Sequence, residues 1–159
     1  MKATTLFILL AFSSLLAENN YSTSSEWLVE TNTTQAQIKK IQKQFRGFDM
    51  AMVEVGQRFN TLYFAIKDKN YDLANYQFDK IKKTIENGIE RRPARKANSK
   101  AMFLDTQYIS MKKALGSKDE KLIAKEYENT KAVCNSCHKA EKVPFINVID
   151  PVYRWQAIR

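Results

Sequence analysis

Apolar residues recur every three or four positions through most of the chain after residue 33. This spacing is typical of helices that bury one face and expose the other. Four segments carry the pattern, and we expect helices over residues 34–67, 71–91, 94–115 and 118–140. The longest segment predicts one unbroken helix of roughly 50 Å. Its apolar seam consists of Ile38, Ile41, Phe45, Phe48, Met52, Val55, Phe59, Leu62 and Ile66.

Polar residues and glycine at the segment boundaries predict where the helices begin and end. Thr33 or Thr34 can cap the first helix, because a hydroxyl accepts a hydrogen bond from the free amides of the first turn. Gly116 suits the position just after the third helix, where the backbone often turns left-handed. Ser117 then offers a cap for the fourth helix, with Glu120 as its partner in a capping box. The polar residues 68–70 predict a tight turn.

The connections between these helices are short, and this predicts the topology. Short turns force sequential helices to run in opposite directions, so the expected fold is all-α, an antiparallel up-down-up-down four-helix bundle. The chain has only four Gly and three Pro in 159 residues, which argues against a β-rich fold with many turns. In such a bundle the end of the fourth helix lies beside the start of the first.

Composition divides the chain into four parts. Residues 1–17 have the features of a secretory signal peptide: Lys2 supplies positive charge, Leu6–Phe12 is a short apolar run, and Ala17 lies at the expected cleavage site. An uncleaved membrane anchor is the alternative, although the run is short for a span. We expect residues 18–33 to be a polar N-terminal arm, residues 34–140 the helical domain, and residues 141–159 a C-terminal tail packed on the bundle. The expected location is the periplasm, with no stable membrane span after cleavage.

One pentapeptide late in the fourth segment carries the chemistry: Cys134-Asn135-Ser136-Cys137-His138. This is the C-x-x-C-H signature of covalent haem attachment. Two thiols one helical turn apart can each bond one vinyl group of the haem, and the adjacent imidazole can ligate the iron. The chain has only two cysteines and one histidine, and all three stand in this motif. We therefore expect one haem c, bound through Cys134 and Cys137, with His138 as the proximal ligand.

Other chemistries of the same residues are less well supported. A structural zinc site usually takes four ligands, and the motif offers three. A thiol-disulfide oxidoreductase uses C-x-x-C, but normally in a βαβ context that this helical pattern lacks. A structural disulfide between such close cysteines would close a very short loop and stabilise little.

The ligand on the other side of the iron decides the function. The bundle topology places the first half of helix one there, which brings Phe45, Phe48, Met50 and Met52 into consideration. Met52 lies on the apolar seam and is the predicted distal ligand, with ordinary core packing as the alternative. A methionine would give a six-coordinate iron suited to electron transfer, whereas a phenylalanine would leave the iron open to small gases. Arg46 could pair with a haem propionate, or it could be an ordinary surface arginine.

The charge of the chain bears on its partners. A net charge of +9 at pH 7 favours an acidic redox partner through electrostatic attraction. The sequence has no basic run with interleaved aromatic residues, so we expect no nucleic acid partner. We also expect no enzymatic activity, because no second histidine is available for acid–base chemistry.

With its signal peptide, four predicted helices and late C-x-x-C-H, the sequence resembles the cytochrome c-prime superfamily. The resemblance covers residues 34–140, is specific at Cys134, Cys137 and His138, and is architectural elsewhere. It implies covalent haem, an axial histidine and a distal side supplied by helix one. An arginine followed four residues later by methionine is often seen in that superfamily, and Arg46 and Met50 have this spacing. Members of that superfamily often form dimers, so a homodimer is possible for this chain. The tail after the motif is longer than is usual in the superfamily.

These features predict an exported mono-haem c-type cytochrome that transfers one electron. The alternative is a five-coordinate haem module that binds nitric oxide or carbon monoxide. A third possibility, of another class, is a haem-free helical protein that serves only for interaction.

Overall fold

The computed structural model describes residue 28 and residues 31–158. The predicted signal peptide and most of the predicted N-terminal arm lie outside this part. Within it the chain forms helices and loops without any β-strand, which confirms the predicted all-α class. No helix in the same part is long and apolar enough to cross a bilayer. The chain divides after Ile41, and the helices from Phe48 onward belong to the second unit.

Helices account for most of the described residues. The α-helices are α1 (Thr34–Phe45), α2 (Phe48–Lys67), α3 (Tyr71–Arg91), α4 (Lys96–Ser99), α5 (Tyr108–Ser117) and α6 (Glu120–Ala140). A 3₁₀ turn (Pro93–Arg95) precedes α4, and a π-helical stretch (Lys100–Gln107) joins α4 to α5.

The prediction of one continuous helix over residues 34–67 is wrong, because the chain breaks between α1 and α2. Arg46 adopts a left-handed conformation with φ of 58°, and Gly47 has a non-helical φ of −112°. The Gly47 amide donates to Oδ1 of Asp49 at 3.1 Å, so this carboxylate satisfies a backbone group that a continuous helix would have bonded. Thr33 caps the start of α1, since its hydroxyl accepts from the Ala36 amide at 3.2 Å.

The break also changes the predicted core. No residue of α1 is buried, so the first three seam positions, Ile38, Ile41 and Phe45, are not core residues. All three are exposed, Phe45 to 61%. The seam continues as core only from α2, where Phe59 and Leu62 are buried.

The second predicted helix is confirmed at both ends. It appears as α3 over Tyr71–Arg91, after the predicted turn at residues 68–70. The side chain of Asn70 caps it by accepting from the Leu73 amide at 3.0 Å. Its end coincides with Arg92 and Pro93, where a proline disfavours helical geometry in the preceding residue.

The boundary before the last helix differs from the prediction. The helix passes through Gly116 to Ser117, and Lys118 takes the left-handed position with φ of 57°. Asp119 is the cap of α6, since its carboxylate accepts from the amides of Lys121 and Leu122. The predicted roles of Gly116 and Ser117 are therefore wrong, and the fourth helix begins at Glu120. A carboxylate is a strong cap that also suits the positive end of the helix dipole.

The core lies between α2, α3, α5 and α6. Helix α2 packs on α3, and the two approach so closely that a Cβ on Gly88 would stand 2.8 Å from Cβ of Ala51. The rings of Phe59 on α2 and Tyr127 on α6 stack with their centroids 5.2 Å apart. In the π-helical stretch, buried Gln107 donates to Oγ1 of Thr130 on α6 at 3.0 Å. The buried apolar cluster consists of Phe59, Leu62, Ala65, Ala74, Phe78, Ile81, Ile85, Phe103, Met111, Ala114, Leu115, Ile123 and Tyr127.

Candidate functional site

The three motif residues lie at the C-terminal end of α6. Cys134 and Cys137 are three positions apart, which places them on one face of the helix, and His138 follows directly. All three are half-buried. Both cysteines are free thiols. The structure therefore brings together the predicted donor set at one helix end.

The chain reverses direction immediately after the motif. Lys142 adopts a left-handed conformation with φ of 62°, and its amide donates to the carbonyl of Lys139 at 3.1 Å. The amide of Val143 donates to the carbonyl of His138 at 2.9 Å. These two bonds are the Schellman pattern, here with lysine at a position where glycine is usual. The reversal directs the following residues back over the motif.

The imidazole of His138 is oriented by this returning chain. Its Nδ1 lies 2.7 Å from the backbone carbonyl oxygen of Ile146. A carbonyl oxygen can only accept, so Nδ1 carries the proton in this contact. In a neutral imidazole the other nitrogen, Nε2, then keeps its lone pair. The contact leaves Nε2 as the nitrogen able to ligate a metal, in the manner in which ligating histidines are usually oriented.

Further contacts hold the tail beside α6. The side-chain amide of Asn135, inside the motif, donates to the carbonyl of Val148 at 3.0 Å and accepts from its amide at 2.7 Å. The carboxylate of Asp150 accepts from Lys131 at 2.6 Å and from the Tyr127 hydroxyl at 3.3 Å. Val148 and Asp150, which follow Ile146 in the chain, are thus both bonded to α6.

Burial governs the protonation of the two thiols. It raises the pKa of Cys134 to about 12 and also raises the pKa of Cys137, against the opposing positive charge of Arg95. Both thiols are therefore protonated at neutral pH. Thiol-disulfide oxidoreductases depend on the opposite shift, often at a helix N-terminus. The surroundings of these cysteines therefore disfavour the oxidoreductase alternative.

An ion pair that no sequence pattern indicated lies next to the motif. Arg95, just before α4, pairs with the carboxylate of Glu141, just after α6, and the side chain of Asn98 donates to the same carboxylate at 2.9 Å. The Glu141 side chain is only 13% exposed. The contact joins residues 46 positions apart, so local periodicity could not reveal it. It joins the start of the third helical region (Pro93–Ser117) to the end of α6.

The predicted distal residues are spread over two elements. Met52 is half-buried and packs on the core, whereas Met50 is 38% exposed. Phe45 is the last residue of α1 and is exposed. Arg46 pairs with Asp49, which agrees with the surface-arginine alternative for this residue. The identity of the distal ligand stays a prediction.

Among the described residues, the motif included, no group of three or more His, Cys, Asp or Glu side chains is arranged to hold a metal ion. The motif is the candidate functional site because of its residue types and spacing.

No family model, curated protein or solved structure matches this chain.

Proposed function

We propose that the protein is an exported mono-haem c-type cytochrome that carries one electron at a time. Haem c is bound through thioethers at Cys134 and Cys137, and His138 is the proximal iron ligand. The observation that carries the proposal is the bond from His138 Nδ1 to the Ile146 carbonyl, because it leaves Nε2 available for iron. When bound, the haem supplies the reversible one-electron change.

The residues present fit this group. Thioether formation consumes one free thiol for each vinyl group, and both cysteines are free. They lie on one face of α6 in a partly buried setting, which suits a large apolar cofactor. The imidazole has one nitrogen bonded to the protein and one unbonded, as an axial ligand requires. Covalent attachment suits export, because the protein could not lose its cofactor by dissociation.

The proposal includes the antiparallel up-down-up-down arrangement of the helices. The contacts of Gly88 support it, since they put the end of α3 beside Phe48 and Ala51 at the start of α2. The pair of Arg95 and Glu141 likewise links the start of the third helical region to the end of α6. Both contacts lie at the end of the bundle where we place the haem.

The same arrangement supports a distal position near residue 50. The ring of Tyr127 on α6 contacts both Phe59 and Tyr63 on α2. His138 follows Tyr127 by eleven residues, so on an antiparallel α2 with the same rise per residue its level corresponds to about residues 48–52. Met50 and Met52 both fall in this window, and we retain Met52, which lies on the buried side, as the distal ligand.

The remaining parts of the proposal concern where the protein acts and with whom. The signal-like residues 1–17 support export to the periplasm. The net charge of +9 supports an acidic redox protein as the partner, and a homodimer is compatible with the resemblance stated above.

One observation favours a second function. Met52 packs on the core cluster as an ordinary apolar side chain would, and a methionine kept there would leave the iron five-coordinate. The protein would then bind small gases such as nitric oxide or carbon monoxide and would not serve as an electron carrier.

The visible spectrum of the reduced holoprotein tests the proposal. Expression with haem-attachment machinery should give sharp, split low-spin bands that carbon monoxide leaves unchanged. Replacing Met52→Ala should convert them to a broad high-spin spectrum that shifts with carbon monoxide, whereas Met50→Ala should not. A high-spin, carbon monoxide-sensitive spectrum in the unaltered protein would overturn electron transfer in favour of gas binding.

A further inference from the structure

The residues after α6 form an irregular segment with turns and bends, here called the strap (residues 144–156). Two asparagine side chains hold it, one on α6 and one on α2. Asn135 binds both the carbonyl and the amide of Val148. Asn60 donates to the carbonyl of Tyr153 at 3.0 Å and accepts from the amide of Trp155 at 3.0 Å. Each amide group thus bonds the strap backbone through one donor and one acceptor.

Polar contacts, more than apolar burial, fix the part of the strap nearest the motif. Phe145 is 80% exposed and Ile149 64% exposed, so neither contributes much burial. Val148 is the exception, since it is half-buried against the core. The paired bonds of Asn135 to Val148 therefore attach the strap to α6 beside the motif, and the carboxylate of Asp150 attaches it farther along through Lys131 and Tyr127.

The carbonyl that orients His138 lies inside this stretch. Ile146 is bonded on its N-terminal side, where its amide donates to the carbonyl of Val143 at 3.0 Å. On its C-terminal side the next bonded residue is Val148, two positions on. The position of the Ile146 carbonyl is therefore fixed by the turn at the end of α6 on its N-terminal side and by the bonds of Asn135 on its C-terminal side.

We propose that Asn135 is a positioning residue for the axial histidine: by holding Val148 it keeps the Ile146 carbonyl on Nδ1 of His138, and so sets the reduction potential of the haem. The inference rests on the proposed haem function. A carbonyl that accepts from Nδ1 increases the electron donation of Nε2 to iron, which stabilises the oxidised state and lowers the potential. The second position of the motif thereby has a role of its own.

The single histidine of the chain allows a direct test that does not depend on haem. Nitrogen-15 spectra of the full chain prepared without haem, at a pH where the imidazole is neutral, report which ring nitrogen carries the proton. The unaltered chain should show the Nδ1-protonated tautomer, and Asn135→Ala should show a mixture of both tautomers. Asn129→Ala is the matched control, since Asn129 is exposed on the same helix and its side chain donates to Glu126. An unchanged tautomer in Asn135→Ala would overturn the inference.

The midpoint potential of the holoprotein provides the second readout. Asn135→Ala should raise it, by roughly the 59 mV that corresponds to a tenfold change in the one-electron equilibrium, while Asn129→Ala should leave it unchanged. If Asn135→Ala does not fold, Asn135→Ser adds no charge, cannot make the paired bonds to Val148 and should raise the potential in the same direction. An unchanged potential in a folded variant would contradict the role of Asn135. An unaltered chain without attached haem would instead defeat the proposed function, and the tautomer measurement would still decide the strap contact.

Discussion

The close approach of α2 and α3 gives the sharpest test of the packing around the proposed site. A Cβ added at Gly88 would lie 2.8 Å from Cβ of Ala51 and 2.9 Å from Cδ2 of Phe48. Ordinary contact begins near 3.4 Å, so Gly88→Ala requires a local separation of about 0.6 Å. Neither contact is with the far end of a flexible side chain, so the helices themselves must shift.

The expected change in stability follows from two opposing effects. Overpacking of this kind costs about 1–3 kcal/mol. Alanine is a better helix former than glycine by about 1 kcal/mol, so we expect Gly88→Ala to lower the free energy of unfolding by about 0–2 kcal/mol. Gly56 lies within α2, and nothing would lie within 4 Å of its Cβ. Gly56→Ala should therefore raise the free energy of unfolding by up to about 1 kcal/mol.

Urea denaturation followed by circular dichroism measures both variants. The difference between them isolates the packing cost, because the gain in helix propensity is common to both. We expect Gly56→Ala to exceed Gly88→Ala by about 1–3 kcal/mol. Equal stability of the two variants would refute the close approach of α2 and α3, and with it one of the two contacts that support the antiparallel arrangement.

Three further predictions concern the cap of α6, one ion pair and the thiols. Asp119→Ala should lower the free energy of unfolding by about 0.5–2 kcal/mol in urea titration, because two amides lose their acceptor; an unchanged midpoint would contradict its capping role. Burial opposes ionisation of Asp79, but bonds from Lys112 and a tyrosine hydroxyl outweigh it and lower its pKa below 3.8. The pair of Asp79 and Lys112 therefore stabilises the fold above pH 3.8, and this stabilisation is lost as the pH falls through the folded-state pKa of Asp79. Asp79→Asn should flatten the acid side of a Tm-versus-pH curve. An unaltered curve would argue against the pair. In the haem-free chain Cys134 should alkylate more slowly at pH 8 than Cys137, since burial raises its pKa to about 12; mass spectrometry showing equal rates would contradict this burial.

Local signals in the sequence were sufficient to predict some elements. Helix α3 has an asparagine cap at Asn70 and a proline just past its end, and both act within a few residues of the boundary. The seam from Phe59 onward was also predicted, since on α2 the apolar period coincides with burial, whereas the same period in α1 does not.

The break at Gly47 was missed because the apolar period runs through it. A single glycine inside a helix costs only about 1 kcal/mol, which is too little to indicate a break by itself. The deciding contact is the bond from the Gly47 amide to Asp49, and it competes with the helix only once Arg46 turns left-handed. Similarly, Ser117 and Asp119 could each cap α6, and the conformation of Lys118 decides between them.

The motif itself could be read from the sequence, but its surroundings could not. The bonds from His138 to Ile146 and from Asn135 to Val148 depend on how the chain reverses at Lys142. No residue pattern in the tail marks a carbonyl as the partner of an imidazole. The pair of Arg95 and Glu141 joins two distant parts of the chain, so only the folded structure reveals it.

Covalent attachment of haem at Cys134 and Cys137 is the central claim, and the intact mass of the denatured protein tests it most directly. The full chain, expressed with haem-attachment machinery and purified, should retain one haem per polypeptide after denaturation and acid extraction. Replacing both cysteines with alanine should give the mass of the polypeptide alone. An unaltered chain that shows only the polypeptide mass, with no haem resisting extraction, would contradict the claim.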